Sequence, residues 1–590
     1  MINLNPEQKA MVVSEGNLVV TACPGSGKTR ALISKLSYEL ERIEDVKRKI
    51  IALTFTNRAA EEIQKRLDVM NIDMEKLWTG TIHAFCLEWI LRPYALYIDR
   101  LKNGFTVLDE FRQEKILNGL KEQSNLPRYE NIALKWSKEG SSKQNTPIKQ
   151  YIANQYHNWL LENKCIDFDL ILFLSYSLLQ ERPQISKSLS RLFKLICIDE
   201  YQDTSELQYG IIGSIVKTGN GETNIVMVGD PDQAIYDTLG GVAKSVEEIS
   251  MEIGGLPVKH LKLSGNYRSS QRVIDFYKNF QLTNIKIQAI GKNANSKAVV
   301  TFNNSISESN LVETIAQIIK SNIRRGIPAN EICVIAPQWW LLISMARSLK
   351  AMMPGIKFDA PGLSPLPKSY DNFWFKVARI FLTTPSPTLF ISRRRWADDI
   401  INDLKSITGF TDIIINNEML TSKILLDFCN LTSKTLKNEI DGLVYLDSCF
   451  NSLLKFVSIN LLSHTLLNDH YSSFFKGIEE RLARNGFDAT DRLLHNFKSS
   501  FQQSNGVVVN TCQGVKGEEY ETIIAFGLLQ GYVPHASIRN PMQAEMSSKR
   551  LLYVIGSRAK TNLHLIAENR NNKNINKELS NVEFAYDDYL

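Results

Sequence analysis

The chain has 590 residues, with 69 Lys and Arg against 63 Asp and Glu, for a formal net charge of +6. Hydrophobic residues make up 44% and charged residues 22%, a balance that supports several buried cores, and the length suggests about three to five compact units. Low-complexity, collagen-like and wholesale polyanion-binding chains are excluded, although local basic grooves can hide within a balanced total.

The start, Met1 to Gln8, lacks a basic stretch followed by an apolar one, so it is no secretory signal. No apolar run approaches the ~18 residues a membrane span needs. The eight cysteines (Cys23, Cys86, Cys165, Cys197, Cys333, Cys429, Cys449 and Cys512) form no C-x-x-C pair, which argues against the usual zinc and close-spaced iron–sulfur sites and against a disulfide scaffold. The expectation is a cytoplasmic protein with no membrane role.

Short Val/Ile/Leu-rich runs ending in small or polar residues predict strands buried on both faces of parallel sheets, with helices between them. They fall at residues 18–22, 50–55, 195–199, 225–229, 332–336, 507–511, 523–526 and 563–566. After Phe55, the spacing of Ala59, Ile63 and Leu67 predicts a helix, giving the strand–turn–helix step of an α/β fold. Residues ~93–170 are richer in helix formers. Across ~372–500 the strand pattern disappears, and Leu443, Leu446, Phe450, Leu453, Leu454 and Val457 mark one side of an amphipathic helix. The chain therefore reads as two α/β units, each interrupted by a mostly helical insertion. Glu568 to Leu590 is Asn-rich and is expected as a loose polar tail.

The first strand runs into Cys23-Pro24-Gly25-Ser26-Gly27-Lys28-Thr29, followed by a helix from Arg30. Gly25 and Gly27 let backbone N–H groups approach phosphates, Lys28 adds a positive charge, and Thr29 offers a hydroxyl to Mg²⁺. Ala22 stands where the strict phosphate-loop pattern has glycine. A second apolar strand ends in Asp199-Glu200, which would put Asp199 beside Mg²⁺ and leave Glu200 to polarise a water against the γ-phosphate. ATP and Mg²⁺ are the expected cofactors of an NTPase.

These and further motifs, in order over ~560 residues, resemble the UvrD/Rep/PcrA-type superfamily 1A DNA helicases. The resemblance implies two RecA-like P-loop domains with parallel sheets, each carrying a helical insertion. It divides the chain into a nucleotide-binding domain (1–92 and 166–258) with its insertion (93–165), a second domain (259–371 and 501–568) with its insertion (372–500), and the tail (569–590). Leu4-Asn5-Pro6-Glu7-Gln8 is similar to the family's Q motif, which implies that Gln8 reads the adenine, and Arg30 is similar to an arginine beside the nucleotide. Asp199-Glu200-Tyr201-Gln202-Asp203 has the family's D-E-x-Q-D form. The resemblance further implies Gln233 as a γ-phosphate sensor, Tyr267 as a ring stacked on the base, Arg268 and Arg558 as arginine fingers and Glu519 on the ribose. Fingers supplied by the other domain would tie hydrolysis to domain closure.

For a single DNA strand, the resemblance implies contacts from Phe55, Thr56, Asn57, Thr81, His83, Tyr236 and Thr511, with bases stacked on rings and phosphates held by hydroxyls and amides. Arg393-Arg394-Arg395-Trp396 reads as a solvated helix face or a phosphate track. Three departures stand out. Gln513 replaces a His and Glu518 an apolar residue, and after Tyr236 the family's aromatic and arginine are replaced by Thr238 and Leu239. The expected activity is ATP-driven 3′→5′ movement on single-stranded DNA with unwinding of tailed duplexes. The alternative is a regulatory DNA-dependent ATPase that controls a partner, such as a nuclease in phage defence or a repair protein.

Overall fold

A computed structural model describes residues 4–588 apart from 46, 71, 73, 109, 142, 237–239, 361–362, 367–371, 416–417, 485–486, 488, 502–504 and 571–572. The chain forms two compact units. One comprises Met1–Leu108, Lys115–Met353 and Val507–Leu590, and the other Asp109–Glu114 with Pro354–Gly506.

The larger unit holds two parallel sheets. The first is built from β1 (Asn17–Ala22), β2 (Lys49–Thr54), β3 (Leu77–Thr81), β4 (Phe193–Asp199), β5 (Asn224–Gly229) and β6 (Val258–Leu263), in the spatial order β6-β1-β5-β4-β2-β3. The second contains β7 (Val299–Asn303), β8 (Ile332–Ala336), β9 (Val507–Thr511), β10 (Tyr520–Ala525) and β11 (Ala559–Ile566), in the order β7-β11-β10-β8-β9. Every adjacent pair runs parallel. Each of the eight apolar runs becomes a strand, because an unbroken branched stretch is stable only where both faces are covered. Strands β3, β6 and β7 lie at sheet edges, where one face keeps polar residues. In β6 the segment Val258-Lys259-His260-Leu261-Lys262-Leu263 is half-exposed and broken by polar residues, which is why no apolar run marks it. The first sheet consequently continues past residue 258, since β6 pairs with β1.

Between β3 and β4, helix Pro147–Glu162 falls within the expected insertion (93–165), and helix Phe168–Glu181 follows just beyond it. Thr146 caps the first helix, and the hydroxyl of Tyr156 donates to Asp167 at 2.8 Å. The last residues are not a loose tail. Phe584 and Tyr586 pack edge-on against Phe276, and Asp587 accepts from Arg272 at 2.9 Å and from the Val300 N–H at 2.8 Å. Two aromatic rings and one carboxylate hold the segment despite its polar composition.

The smaller unit is helical. Helices Phe373–Phe381, Phe390–Thr408, Ser422–Thr435 and Gly442–Phe456 enclose a core centred on Trp374, Leu446 and Phe450. The apolar stripe read from Leu443 to Leu454 is buried as expected. The Arg393–Trp396 run is not one solvated face: Arg394 is exposed and Arg395 half-buried, but Arg393 is turned inward. Arg393 is buried and donates to the carbonyls of Ile380 (2.8 Å) and Thr383 (2.6 Å), satisfying the end of the preceding helix. Trp396 stacks under Arg379 at 3.6 Å. Among the described residues, no helix is long and apolar enough to cross a membrane.

Candidate active site and strand-binding face

The phosphate loop follows β1. Gly25 and Gly27 have φ of +67° and +75°, in the left-handed region open to glycine at no steric cost. A Cβ on Gly25 would lie 2.7 Å from the Cβ of Arg268, so the second half of the unit presses directly on the loop. Gln8 is buried against the loop. Its amide donates to the carbonyl of Ser26 at 2.8 Å, and its side-chain oxygen accepts from the N–H of Asn5 in a capping box. Cys23 is buried, its N–H bonded to the Leu263 carbonyl, while the Pro24 carbonyl accepts from Asn266. The buried Ser26 hydroxyl has no partner among the described residues. Thr29 is half-buried, and Arg30 is exposed at the helix start.

The carboxylates gather at the ends of β4 and β5. Asp199 is buried, and burial together with the neighbouring Glu200 pushes its carboxyl well above the usual range. Glu200 sits at φ +54°, an uncommon conformation for a residue with a side chain. Burial alone would raise its carboxyl as well. Lys28, whose Nζ is 3.4 Å away, and Lys516 outweigh that effect and hold Glu200 ionised. Two adjacent groups with opposed shifts suit one carboxylate awaiting a cation and another that stays charged to orient water. Asp199 and the Thr29 hydroxyl fit Mg²⁺, which keeps several waters and needs few protein ligands beside phosphate oxygens. No cluster of three or more His, Cys, Asp or Glu suited to a metal occurs among the described residues.

A hydrogen-bonded chain leads from these carboxylates to the second sheet. The Gln202 amide, fully buried, donates to Glu200 at 2.7 Å, and its oxygen accepts from the Asp230 N–H at 2.9 Å. The Asp230 carboxylate accepts from Gln233 at 2.6 Å. The Gln233 side-chain oxygen in turn accepts from Arg558 at 2.6 Å. Lys516 runs parallel to this chain, donating to Asp203 at 2.5 Å and to the Gln233 carbonyl at 2.8 Å. The sequence reading assigns no role to Gln202 or Lys516, although the place of one in D-E-x-Q-D and of the other in the glycine-flanked segment before Glu519 is a signal present in the sequence.

Arg558 is 1% exposed, and it also donates to the carbonyls of Val554 and Glu518. Arg268 donates to Glu519 at 2.8 Å and to the Ser557 carbonyl at 2.8 Å. Glu519, expected on a ribose, is thus held by Arg268 in this structure. Tyr267 is half-exposed, and its N–H donates to the Gly25 carbonyl at 2.8 Å.

On the strand-facing side, Phe55 and Tyr236 stack on one another, with centroids 5.1 Å apart and planes 16° from parallel. Lys516 lies 4.8 Å from the Tyr236 ring, and the Tyr236 hydroxyl donates to the Gln513 carbonyl at 3.4 Å. Thr56, Thr81 and Thr511 accept from the N–H groups of Ala59, Ala84 and Gly514, which leaves each O–H able to donate to a phosphate. Asn57 opens the helix after β2, its side chain lying outside the described residues, as do Thr238 and Leu239. His83 packs edge-on against Phe168, and burial pulls its imidazole down to about 4, so at neutral pH it offers a hydrogen bond and no charge. A cavity of about 150 Å³ is lined by Phe55, Thr81 and His83 on one side and by Asp199, Glu200 and Asp203 on the other.

The two sheets, with the phosphate loop on one and with Arg268 against that loop and Arg558 on Gln233 from the other, define a P-loop ATPase whose site is shared between two RecA-like halves. Residues 4–253 match the UvrD/REP helicase N-terminal domain. Along most of its length the chain is similar to UvrD- and PcrA-type ATP-dependent DNA helicases. It is 24% identical to a probable DNA helicase II homolog of Mycoplasma capricolum, over 95% of this chain and 84% of that protein. It is 23% identical to the ATP-dependent DNA helicase PcrA of Bacillus subtilis, over 95% of this chain and 82% of that protein. With PcrA of Staphylococcus epidermidis, identity is 30% over 46% of this chain and 39% of that protein.

Proposed function

We propose that the protein is an ATP-driven translocase that moves 3′→5′ along single-stranded DNA and separates tailed duplexes. The observation that carries this reading is the bonded chain Glu200–Gln202–Asp230–Gln233–Arg558, which runs from the first sheet to the second. In this reading Lys28 and Thr29 hold the phosphates and Mg²⁺ with Asp199, and Glu200 orients the attacking water. Arg558, with Arg268 once released from Glu519, neutralises the transferring phosphoryl. Gln8, Arg30 and Tyr267 receive the adenine side of the nucleotide. Mg²⁺ supplies charge neutralisation on the β- and γ-phosphates when bound. Phe55 and Tyr236 receive bases, and the Thr56, Thr81 and Thr511 hydroxyls, with Asn57 and His83, receive the backbone. The cavity bordered by both residue sets supports coupling between strand and nucleotide. The direction of movement rests on the family resemblance.

A second reading, a regulatory DNA-dependent ATPase serving a nuclease or repair partner, is favoured by Thr238 and Leu239 in place of the family's aromatic and arginine. ATPase rates with and without single-stranded DNA, followed by strand displacement on 3′- and 5′-tailed duplexes, separate the two. Stimulation with displacement from the 3′ tail supports the first reading. Stimulation with no displacement from either tail supports the second, and no stimulation sinks both.

A further inference from the structure

The second sheet carries an exposed aromatic surface that none of the roles above uses. β8 ends at Ala336, and the chain turns through Pro337 and Gln338 into the helix Trp339–Met352. The first two residues of that helix are tryptophans, 38% and 53% exposed, whereas Leu341, Leu342 and Met345 behind them are buried. Tyr532, from the loop after β10, meets Trp340 edge to face at 5.6 Å. The Arg570 guanidinium lies 5.6 Å from the Trp340 ring, and the Lys573 ammonium 4.5 Å from the Tyr532 ring. Arg570 is also paired with Glu308 at 2.7 Å, which leaves Lys573 as the cation available to a ligand. Flat rings left in water beside cations match a chemistry that stacks bases and neutralises phosphates.

The surface is continuous with the strand-binding face. Ala336 is the register partner of Thr511, and the loop after Thr511 meets Tyr236 through the Gln513 carbonyl. Tyr236 then stacks on Phe55. The rings thus follow the carboxyl ends of strands from the first sheet to the second. A protein partner would also use Trp and Tyr, but this continuity and the flanking lysine favour a nucleic acid strand.

Resting on the translocase reading, we infer that Trp339, Trp340 and Tyr532 form a second base-stacking platform for single-stranded DNA, with Lys573 beside it for a phosphate. The platform supplies rings in the second half of the motor, whereas the segment after Tyr236, in the first half, has given one up at Thr238 and Leu239.

The test uses the full chain, fluorescence anisotropy with a labelled oligothymidylate, and a matched strand whose sugars lack bases. Trp340→Ala should weaken oligothymidylate binding by roughly 5- to 100-fold. Binding of the abasic strand and the ATPase rate without DNA should stay unchanged, and Trp340→Phe should recover most of the loss. Lys573→Gln should weaken both strands alike and lower the salt dependence of binding by about one unit of slope. Because it leaves every ring in place, it remains informative even where a tryptophan variant misfolds. Unchanged oligothymidylate affinity in the Trp339→Ala/Trp340→Ala double variant overturns the platform, as does an unchanged salt slope in Lys573→Gln. An unaltered chain that binds neither strand at low salt overturns the translocase reading and the platform with it.

Discussion

The two sheets of the larger unit have the same parallel construction and opposite burdens of charge. The first buries Asp199, Asp203, Asp230 and Asp232 at its strand ends, and burial pushes all four carboxyls upward. The second buries Arg558 and brings Lys516 to the same place. Buried carboxylates without cations are costly, and so is a buried guanidinium without acceptors. Each half therefore supplies what the other lacks, and the fold is repeated while the chemistry is divided. In this structure the two halves already touch through Arg558 and Gln233.

Removing Arg558 should break the division most severely. Arg558→Ala is expected to lower DNA-stimulated kcat by about 10³–10⁵ while shifting nucleotide Kd only several-fold, because the guanidinium matters most when the phosphoryl is in transfer. Arg558→Lys should recover little, since one ammonium cannot reach Gln233 and the Glu518 carbonyl in the same geometry. Turnover and nucleotide titration measured side by side check this, and an unchanged kcat would assign Arg558 to structure alone.

On the acidic side the next largest loss is expected from Glu200→Gln. The amide preserves shape but cannot take the proton of the attacking water, so turnover should fall by about 10²–10⁴ with Mg-ATP binding retained. Equilibrium binding of a fluorescent nucleotide, followed by single-turnover hydrolysis, reads both quantities. Wild-type turnover would move the water-orienting role to another group.

How much of this was legible beforehand follows from what each residue depends on. The phosphate loop and Asp199-Glu200 are local: a strand, a turn and the side chains on it lie within a few residues of one another. The two-sheet architecture was legible because continuous runs such as Ile332–Ala336 have no stable alternative to double burial. Edge strand β6 was not, because Lys259, His260 and Lys262 break up Val258, Leu261 and Leu263, which form neither a continuous run nor a period of two. The pairing of Glu519 with Arg268 spans 251 positions, and that of Lys516 with Asp203 spans 313, so no local pattern announces either. Arg393 looked like a surface charge because nothing near it in sequence shows that a helix ends against it.

The Lys516–Asp203 pair sharpens the comparison at the level of stability. Its side chains are 9% and 2% exposed, and burial pushes Asp203 up to about 6 even with the ammonium beside it. Lys516→Met leaves that carboxyl without its cation and should cost about 3–5 kcal/mol in urea unfolding. Adding Asp203→Asn removes the charge that was stranded and should return much of the loss. If the double variant loses the sum of what the two single variants lose, the two residues act independently and the ion pair does not link the halves.

The smallest effect concerns one histidine in each half. Burial pulls both His83 and His564 down to about 4. His564 lies on β11, almost fully buried, and its Nδ1 is 2.9 Å from the Thr301 hydroxyl of β7. In the unfolded chain an imidazole titrates near 6.5. Above that pH both states are neutral and the contribution to stability is complete. As pH falls from about 6.5 toward 4, the unfolded chain takes up a proton that the folded one refuses. Stability should then decline by up to about 1.4 kcal/mol per pH unit for each such group. His564→Gln, able to keep a hydrogen bond to Thr301, should remove one share of that slope and leave the share belonging to His83. Urea midpoints of the two proteins at several pH values between 7 and 4.5 provide the measurement. Parallel curves would mean that His564 accepts its proton inside the folded sheet, contrary to the cost that its burial imposes.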